Sequence, residues 1–584
     1  MSNLIWLSCA GVLLTGVLVK LLRWIKNRAV AQSAGFPVCF SPVHIADMWW
    51  MAVYPMVAPI VDRLPRSWTQ PWLPMSQVWN IWKAGYGPFE EVDSDTFMLA
   101  TPNGNVLWSC DPAVIKALFT QPDKSQMPTE MMAFFDLWGP TLSTTEGAAW
   151  RESRRIISSG FNPSTNQSVW EETRRQCGMI LQRWADDGGV VKVMKDWTAP
   201  LALHVISAVF FDKKIDWSRE SEKPENLPPN HKLRYETALF TVLDKLAILA
   251  VTPKWVLNHV PLKPFQKAGL AFEEFTRYIL ELCDHATQSI HDAEGKKRKN
   301  MLETIVAASI PEANQRGLAQ SQENIMGNMF FTLMAGHETV GSSLSFILML
   351  LAIHPEHQQR MQEELDEVLG DCPIEDADMQ LHFNRLLDGF TGAVIKETLR
   401  AYNPAQFSLR RTVAPLPVVD SKGQHHVIPA NTTCVSSFAA AFRNPNTWPR
   451  NPNVGPARRA QMHDSPALDW DPTRWLKEPG RPDLERETSD GDALIYVPFG
   501  QGGRVCLGKS FAQIEMVAAI MTLLKNHKLE LVVEESLVSE YGGNRQRAWE
   551  VTRDKRLIML VDNIEPNIAI QVLKEVPIKC TPRT

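Results

Sequence analysis

The sequence predicts a mainly α-helical body with a minor β component, preceded by one membrane-crossing helix. Three observations carry this. From about residue 110 to about residue 410 most segments repeat their apolar residues at helical period. Glu323 to Pro355 is apolar nearly all round, as a helix crossing a protein interior must be. The N-terminus holds the one uncharged apolar run of membrane-spanning grade. With 584 residues, 45% hydrophobic and 21% charged, the chain is long enough for a large core and too apolar for disorder.

The first element is LIWLSCAGVLLTGVLVKLLRW, Leu4 to Trp24. Its uncharged core, Leu4 to Val19, is a little short of the roughly 20 residues of a full span. Lys20 can snorkel to the headgroups, so that Leu21 and Leu22 complete the crossing. Arg23, Lys26 and Arg28 follow, and no Lys or Arg precedes. The positive-inside rule then places the N-terminus in the lumen and the rest in the cytosol. The boundaries are 1–28 for the anchor and 29–584 for the cytosolic body. A cleaved signal peptide, with a small-residue site near Ala29 or Ala34, is the alternative, but it would carry its positive charge before the apolar run. The sequons at Asn166 and Asn431 should stay unglycosylated in a cytosolic body.

Residues 35–110 are rich in Trp and Pro, which suits either a membrane interface or ordinary core packing. Helical segments follow, with proline and charged loops between them. The helix Glu323 to Pro355 stops at His354 and Pro355. A strand-like zone runs from Arg411 to Phe442, Arg450 to Asp469 reads as loop, and the segment after His527 reads as β. Nine cysteines stand singly with no C-x-x-C pair, which argues against a disulfide framework or a structural zinc site and for a reducing compartment. A net charge of −5 and no long basic stripe give no general attraction to nucleic acid.

Five short stretches carry chemistry. Inside the buried helix lies AGHETV, Ala335 to Val340. A buried carboxylate at Glu338 must be paired, protonated or used, while Thr339 can simply bond back to the carbonyl of Ala335. Gly336 leaves room for something to approach the same turn. An acid and an alcohol beside a gap suit proton delivery to a bound small molecule. KETLR places Glu397 and Arg400 at i, i+3, a spacing shared by Glu152–Arg155, Glu172–Arg175, Glu274–Arg277 and Glu550–Arg553. Such pairs are ordinarily solvated and contribute a few tenths of a kcal/mol. EGAAWRESRR sets Trp150 and Arg154 at i, i+4, and DPTRW carries Arg474. FGQGGRVCLG, residues 499–508, holds Cys506 among glycines just before an apolar helix.

Their order, EGAAWRESRR, AGHETV, KETLR, DPTRW, FGQGGRVCLG, resembles that of the cytochrome P-450 family, the heme-thiolate monooxygenases. The resemblance covers essentially everything after the anchor, and it implies the fold of that family. Its most specific part is F-x-x-G-x-R-x-C-x-G, filled by Phe499, Gly502, Arg504, Cys506 and Gly508. It implies Cys506 as axial ligand of heme iron, a thiolate that favours O–O cleavage. A helix N-terminus after the cysteine suits a negative sulfur, and Gly502 and Gly508 allow close backbone approach.

It further implies that Arg504, Trp150 with Arg154, and Arg410 reach the heme propionates, Arg411 being a competing candidate for the last. Glu338 and Thr339 match the acid–alcohol pair that relays protons in oxygen activation. Glu397, Arg400 and Arg474 match a structural cluster. Val340 replaces a frequent hydroxyl residue, Thr473 a frequent glutamate, and AGFPVCF lacks the usual proline hinge.

With no nicotinamide or flavin fingerprint in the chain, electrons must come from a partner, for which a membrane-bound NADPH-dependent reductase is implied, with an endoplasmic-reticulum location. The substrate is expected to be a medium-sized apolar molecule facing part of Met131 to Thr145, Phe331, Ala335 and Gln406 to Leu409. The likeness is to fungal enzymes of secondary metabolism. Two rivals are weaker. One is a heme-thiolate isomerase or dehydratase that does not use O2. The other is a P-loop NTPase, since Gly503 to Ser510 spells G-x-x-x-x-G-K-S and LIMLVD, Leu557 to Asp562, resembles a Walker B strand.

Overall fold

The computed structural model describes residues 2–77, 80–217, 226–257, 259–292, 300–307, 321–476, 496–566 and 568–583, without the side chains of residues 2–13, 48, 51 and 52. Helix accounts for 60% of it and strand for 10%, which is the mainly helical class expected from the periodicity.

The central helix runs from Gln322 to Ile353. Ser321 caps it, its hydroxyl oxygen accepting the N–H of Asn324 at 3.2 Å. Pro355 closes it by opening the next helix, Pro355–Leu369, at a position where its missing N–H costs nothing. Residues 344 and 346–353 are buried on every face, which is why this segment shows no amphipathic stripe. The helix Lys195–Phe211 crosses it so closely that a Cβ on Gly341 would come within 2.8 Å of the Cα of Ala199. A glycine is required there by contact, since any larger residue would push the two backbones apart.

The main sheet has six strands in the order Val38–Phe40, Thr96–Thr101, Gly104–Ser109, Thr433–Ser437, Phe407–Thr412 and Ser125–Gln126. Phe407–Thr412 runs antiparallel to Thr433–Ser437 in a register that sets Arg410 opposite Cys434. The strand-like zone is therefore real, begins four residues earlier than Arg411, and ends in a short helix at Phe438–Ala441.

Two stretches differ from the sequence reading. The polar segment around Arg450 to Asp469 contains a helix, Pro456–Gln461, and a 3-10 turn, Pro466–Asp469, tied by Arg459 to Asp469 at 2.6 Å. Salt-bridged short helices look like loop when only apolar periodicity is read. Past His527 the β reading holds for His527–Leu531, for the hairpin Ile564–Pro566 with Ile570–Val572 and for Ile578–Pro582, but an 18-residue helix, Arg545–Asp562, interrupts it. LIMLVD is the end of that helix and not a Walker B strand.

The first helix spans Ser2–Gln32. Its end is docked on the sheet: Asn27 Nδ2 donates to the carbonyl of Thr101 at 2.8 Å, and Asn105 Nδ2 donates to the carbonyl of Asn27 at 2.9 Å. Ala31, Ala34 and Phe36 join Met98, Leu107 and Cys434 in a small second core. Farther up, Leu14, Val17, Leu18, Leu21 and Leu22 are exposed, and most of the apolar run, residues 4–13, falls among the side chains outside the described set. Among the described residues, one helix is long and apolar enough to cross a membrane, and it is the central one, 89% buried in the protein interior. Of the tryptophans of residues 35–110, Trp50, Trp72 and Trp82 are core, whereas Trp49 and Trp68 are exposed.

Candidate active site

Cys506 sits three residues before the helix Lys509–Leu524. The turn that carries it is fixed by its own backbone: the Cys506 N–H donates to the carbonyl of Phe499 at 2.9 Å, and the Val505 N–H to that of Gly502 at 3.2 Å. Gly502 has φ of +67°, and a Cβ there would meet the carbonyl oxygen of Phe119 at 2.5 Å, so no other residue fits. Gly508 is different. A Cβ there would stand 3.8 Å from the Phe161 ring and 3.9 Å from the Cys506 sulfur, ordinary contact distances, so the fold itself does not demand that glycine.

The sulfur opens into a cavity of about 410 Å³. On the cysteine side this is lined by Phe499, Arg504, Leu507 and Phe511, and across it by Phe331, Thr332, Ala335, Gly336 and Thr339 of the central helix. The walls are Phe119, Ile206, Phe210, Phe407 and Phe438, so most of the lining is apolar. Cys506 is exposed and lines this space. Burial pushes its pKa up, against the Gly508 N–H and the Arg154 charge, which pull it down.

Three arginines ring the same cavity, together with Trp150. Arg154 donates to the carbonyl of Val505 at 3.1 Å. Arg504 lies over the Trp150 ring, 4.6 Å from its centroid, donates to the carbonyl of Thr145 at 2.6 Å and is ion-paired with Glu146. Arg410 is buried, its best contacts the carbonyl of Leu409 at 2.9 Å and the Phe119 ring at 4.3 Å. Its pKa is pushed down to about 10 by burial and by the like charge of Arg504. Arg154 likewise has no carboxylate in its described contacts. Two buried or half-buried cations with no carboxylate in ion-pair contact among the described residues, beside an open thiol and an apolar slot, fit a group that is flat, apolar, metal-bearing and edged with carboxylates. Arg411, the competing candidate, instead pairs with Glu130 at the surface.

The central helix sends Thr339 to the cavity and Glu338 away from it. Thr339 Oγ1 donates to the carbonyl of Ala335 at 2.9 Å. The Glu338 carboxylate lies behind, accepting from Gln571 Nε2 at 2.5 Å, and Gln571 in turn accepts from Lys195. Burial works to raise the Glu338 pKa, but His337, Lys195 and Gln571 together hold it below the ordinary value. The space beside Gly336 is filled by Ile206, whose Cδ1 lies 2.1 Å from where a Cβ would stand. The gap read from the sequence is thus partly a packing contact. Gln571 escapes sequence reading altogether, because it lies 233 residues from Glu338 on a hairpin, Ile564–Pro566 with Ile570–Val572.

Behind the cysteine turn, Glu397 is fully buried and accepts five hydrogen bonds: Arg400 Nε at 2.9 Å and Nη2 at 2.7 Å, Arg474 Nε at 3.0 Å, the Asp471 N–H at 3.0 Å and Trp475 Nε1 at 2.9 Å. Burial disfavours the Arg400 charge and the Glu397 carboxylate more than offsets it, leaving the guanidinium above its ordinary value. Trp475 was not singled out from the sequence, although it is the last letter of DPTRW. Of the other Glu-x-x-Arg pairs, Glu152–Arg155 and Glu172–Arg175 are partly exposed ion pairs as their spacing predicts, whereas Glu550 pairs with Arg547 instead of Arg553. Glu274–Arg277 is the exception in burial, with the Glu274 side chain 1% exposed.

The family model for cytochrome P-450 matches residues 94–546. The chain belongs to the cytochrome P-450 family. Curated relatives span it nearly end to end: a cytochrome P-450 monooxygenase of Arthrobotrys oligospora is 27% identical, covering 98% of this chain and 97% of its own. The phomenoic acid biosynthesis cluster cytochrome P-450 monooxygenase of Leptosphaeria maculans is 25% identical, covering 89% and 91%. Human cytochrome P-450 4F12 is 24% identical, covering 90% and 93%. Among solved structures the heme domain of cytochrome P-450DA matches with a TM-score of 0.61 at 18% identity, covering 85% of this chain and 92% of its own.

The protein is therefore an oxidoreductase of the monooxygenase family, heme-thiolate in type, and its family uses a redox partner and hydrophobic substrates. The P-loop reading falls with this match and with the helical LIMLVD. The cavity residues expected from the sequence are partly met: Leu142, Ser143, Phe331, Ala335, Phe407 and Ser408 line it, whereas Gln406 turns its amide oxygen to the N–H of Trp82 at 3.1 Å.

Proposed function

We propose that this cytochrome P-450 inserts one oxygen atom from O2 into a medium-sized apolar molecule, by hydroxylation, epoxidation or oxidative coupling, in the tailoring of a secondary metabolite. The observation that carries the reading is the apolar cavity closed on one side by the Cys506 turn and on the other by Ala335, Gly336 and Thr339. Cys506 would hold heme iron, Arg154, Arg504, Arg410 and Trp150 its edge, and Phe499 and Gly508 the cysteine side. When bound through a thiolate, heme supplies oxygen activation.

The chain's own residues bind the substrate against Phe331, Phe407 and Phe438 and exclude bulk water with the same rings. Thr339 holds a hydroxyl at the cavity, and Glu338 supplies protons from behind it. Glu397, Arg400 and Arg474 keep the cysteine side rigid. The biosynthetic-cluster name of the Leptosphaeria relative supports secondary metabolism.

Residues 1–28 act as a single membrane anchor and residues 29–584 as the cytosolic catalytic domain, at the endoplasmic reticulum, with electrons from a membrane-bound NADPH-dependent reductase. Support comes from the exposed Leu14, Leu18 and Leu22 of the first helix and from exposed Met56, Ile60, Val251 and Trp255. The reading is tested with a panel of terpenoid, polyketide and alkaloid molecules. A member that shifts the heme spectrum and is converted only with reductase, NADPH and O2 supports it. Conversion without O2 would make the protein an isomerase or dehydratase.

A further inference from the structure

His337 precedes Glu338 on the central helix and is fully buried. Its Nδ1 lies 2.6 Å from the carbonyl oxygen of Leu333, which can only accept, so Nδ1 carries a proton. Nε2 has no hydrogen-bond partner among the described residues and lies 3.6 Å from Glu338 Oε1. The second carboxylate oxygen is occupied by Gln571, itself held by Lys195. Oε1 is thereby left to His337. Were the imidazole neutral and the carboxylate ionised, two lone pairs would face one another in a buried site. A proton on Nε2 turns that repulsion into attraction across the 3.6 Å gap, which closes to a charge-assisted hydrogen bond with a small rotation of either side chain. Among the described residues, the helix Tyr235–Asp244 presents the Phe240 ring, 5.6 Å from the imidazole centroid, the helix Lys195–Phe211 presents the Lys195 cation, and the hairpin presents the neutral Gln571.

We propose that one proton resides between His337 Nε2 and Glu338 Oε1, and that His337 is the positioning residue that sets the protonation state of Glu338. This rests on the reading that Glu338 supplies protons to the cavity. In the loading step the Nε2–H bond breaks and an Oε1–H bond forms. The imidazolium becomes a neutral imidazole that still donates from Nδ1 to Leu333, and the carboxylate becomes a carboxylic acid. Once the acid has released that proton towards the cavity, the carboxylate is restored, and one proton taken up from bulk water and passed through Glu338 restores Nε2–H. Gln571 and Lys195 hold Oε2 so that Oε1 stays aimed at the imidazole. Gln571 lies beyond residue 546, where the family match ends, so this clamp is built from a part of the chain that the match does not include.

The test uses 15N-histidine spectra of the reduced, CO-bound holoprotein, which is diamagnetic. The His337 signals are assigned by their loss in His337→Gln, and each variant is first checked for the thiolate–CO band. Glu338→Gln removes the anion, so at one fixed pH the Nε2 signal should move towards that of a neutral imidazole. An unmoved signal overturns the proposal. In parallel, the pH profile of reductase-driven NADPH oxidation without added substrate is measured. His337→Gln and His337→Asn should move its acid limb to higher pH, because Glu338 loses a group that keeps it ionised. A profile altered by Glu338→Gln but untouched by both His337 variants overturns the proposal and spares the proton-supply reading. A profile indifferent to Glu338→Gln as well sinks the proton-supply reading, while a moved Nε2 signal still establishes the shared proton.

Discussion

At the scale of single residues, identity matters most where one atom has one job. Replacing Cys506 with alanine removes the sulfur that faces the cavity and should abolish the red-shifted Soret band of the reduced, CO-treated protein. Lys509→Ala, in the exposed first turn of the following helix, should leave that band intact. His44 gives a pH signature of a different kind. Burial drives its pKa down to about 4, Asp47 opposing and Arg411 assisting, and its Nδ1 accepts the N–H of Ala46 at 3.0 Å, which requires the neutral ring. Between about pH 4 and 6.5 the unfolded chain binds the extra proton and the native state does not, so stability rises with pH across that window. The contribution lost on acidification is about 3 kcal/mol. Urea unfolding at several pH values should show this slope in the wild type and a weaker one in His44→Gln. None of this was legible in the sequence, because a histidine in HIADMWW announces neither burial nor partner.

Among the elements, the cysteine turn and the Glu397 cluster show what spacing can and cannot say. The turn was legible: a glycine-rich run with an arginine and a cysteine, followed by an apolar helix, left few alternatives. Which glycine matters was not. Gly502→Ala places a Cβ against the Phe119 carbonyl in a left-handed conformation and should cost about 1–3 kcal/mol, with heme loss on purification. Gly508→Ala meets only ordinary contacts with protein atoms and should leave the thermal midpoint of the heme-free protein nearly unchanged. Glu-x-x-Arg was legible as a helix pair but not as a core, since five such pairs share the spacing and one is closed by Arg474 and Trp475. Glu397→Ala strands the Arg400 cation in the interior and should cost roughly 3–5 kcal/mol, read as loss of folded, heme-binding protein on expression. Glu152→Ala, at the surface, should change the unfolding free energy by well under about 1 kcal/mol.

For the whole molecule, the first helix divides into an exposed apolar stretch and a docked end. Deleting residues 2–22 should release the protein from membranes while leaving its thermal midpoint in place, because Asn27, Ala31 and Ala34 still cover the sheet. Extending the deletion through Ala34 uncovers Met98 and Leu107 and should lower the midpoint, as sedimentation and thermal unfolding of the two shortened proteins will tell. The sequence by itself determined the helical class, the thiol-bearing turn and the order of the motifs, because periodicity and local spacing are properties of neighbouring residues. Only the tertiary structure decided that Thr339 faces the cavity while Glu338 turns to Gln571, that Ile206 fills the space at Gly336, and that Arg410 is buried against the Leu409 carbonyl and the Phe119 ring. Each of those outcomes depends on a side chain from a distant part of the chain, and the free energy of a buried polar group is set by what surrounds it in space.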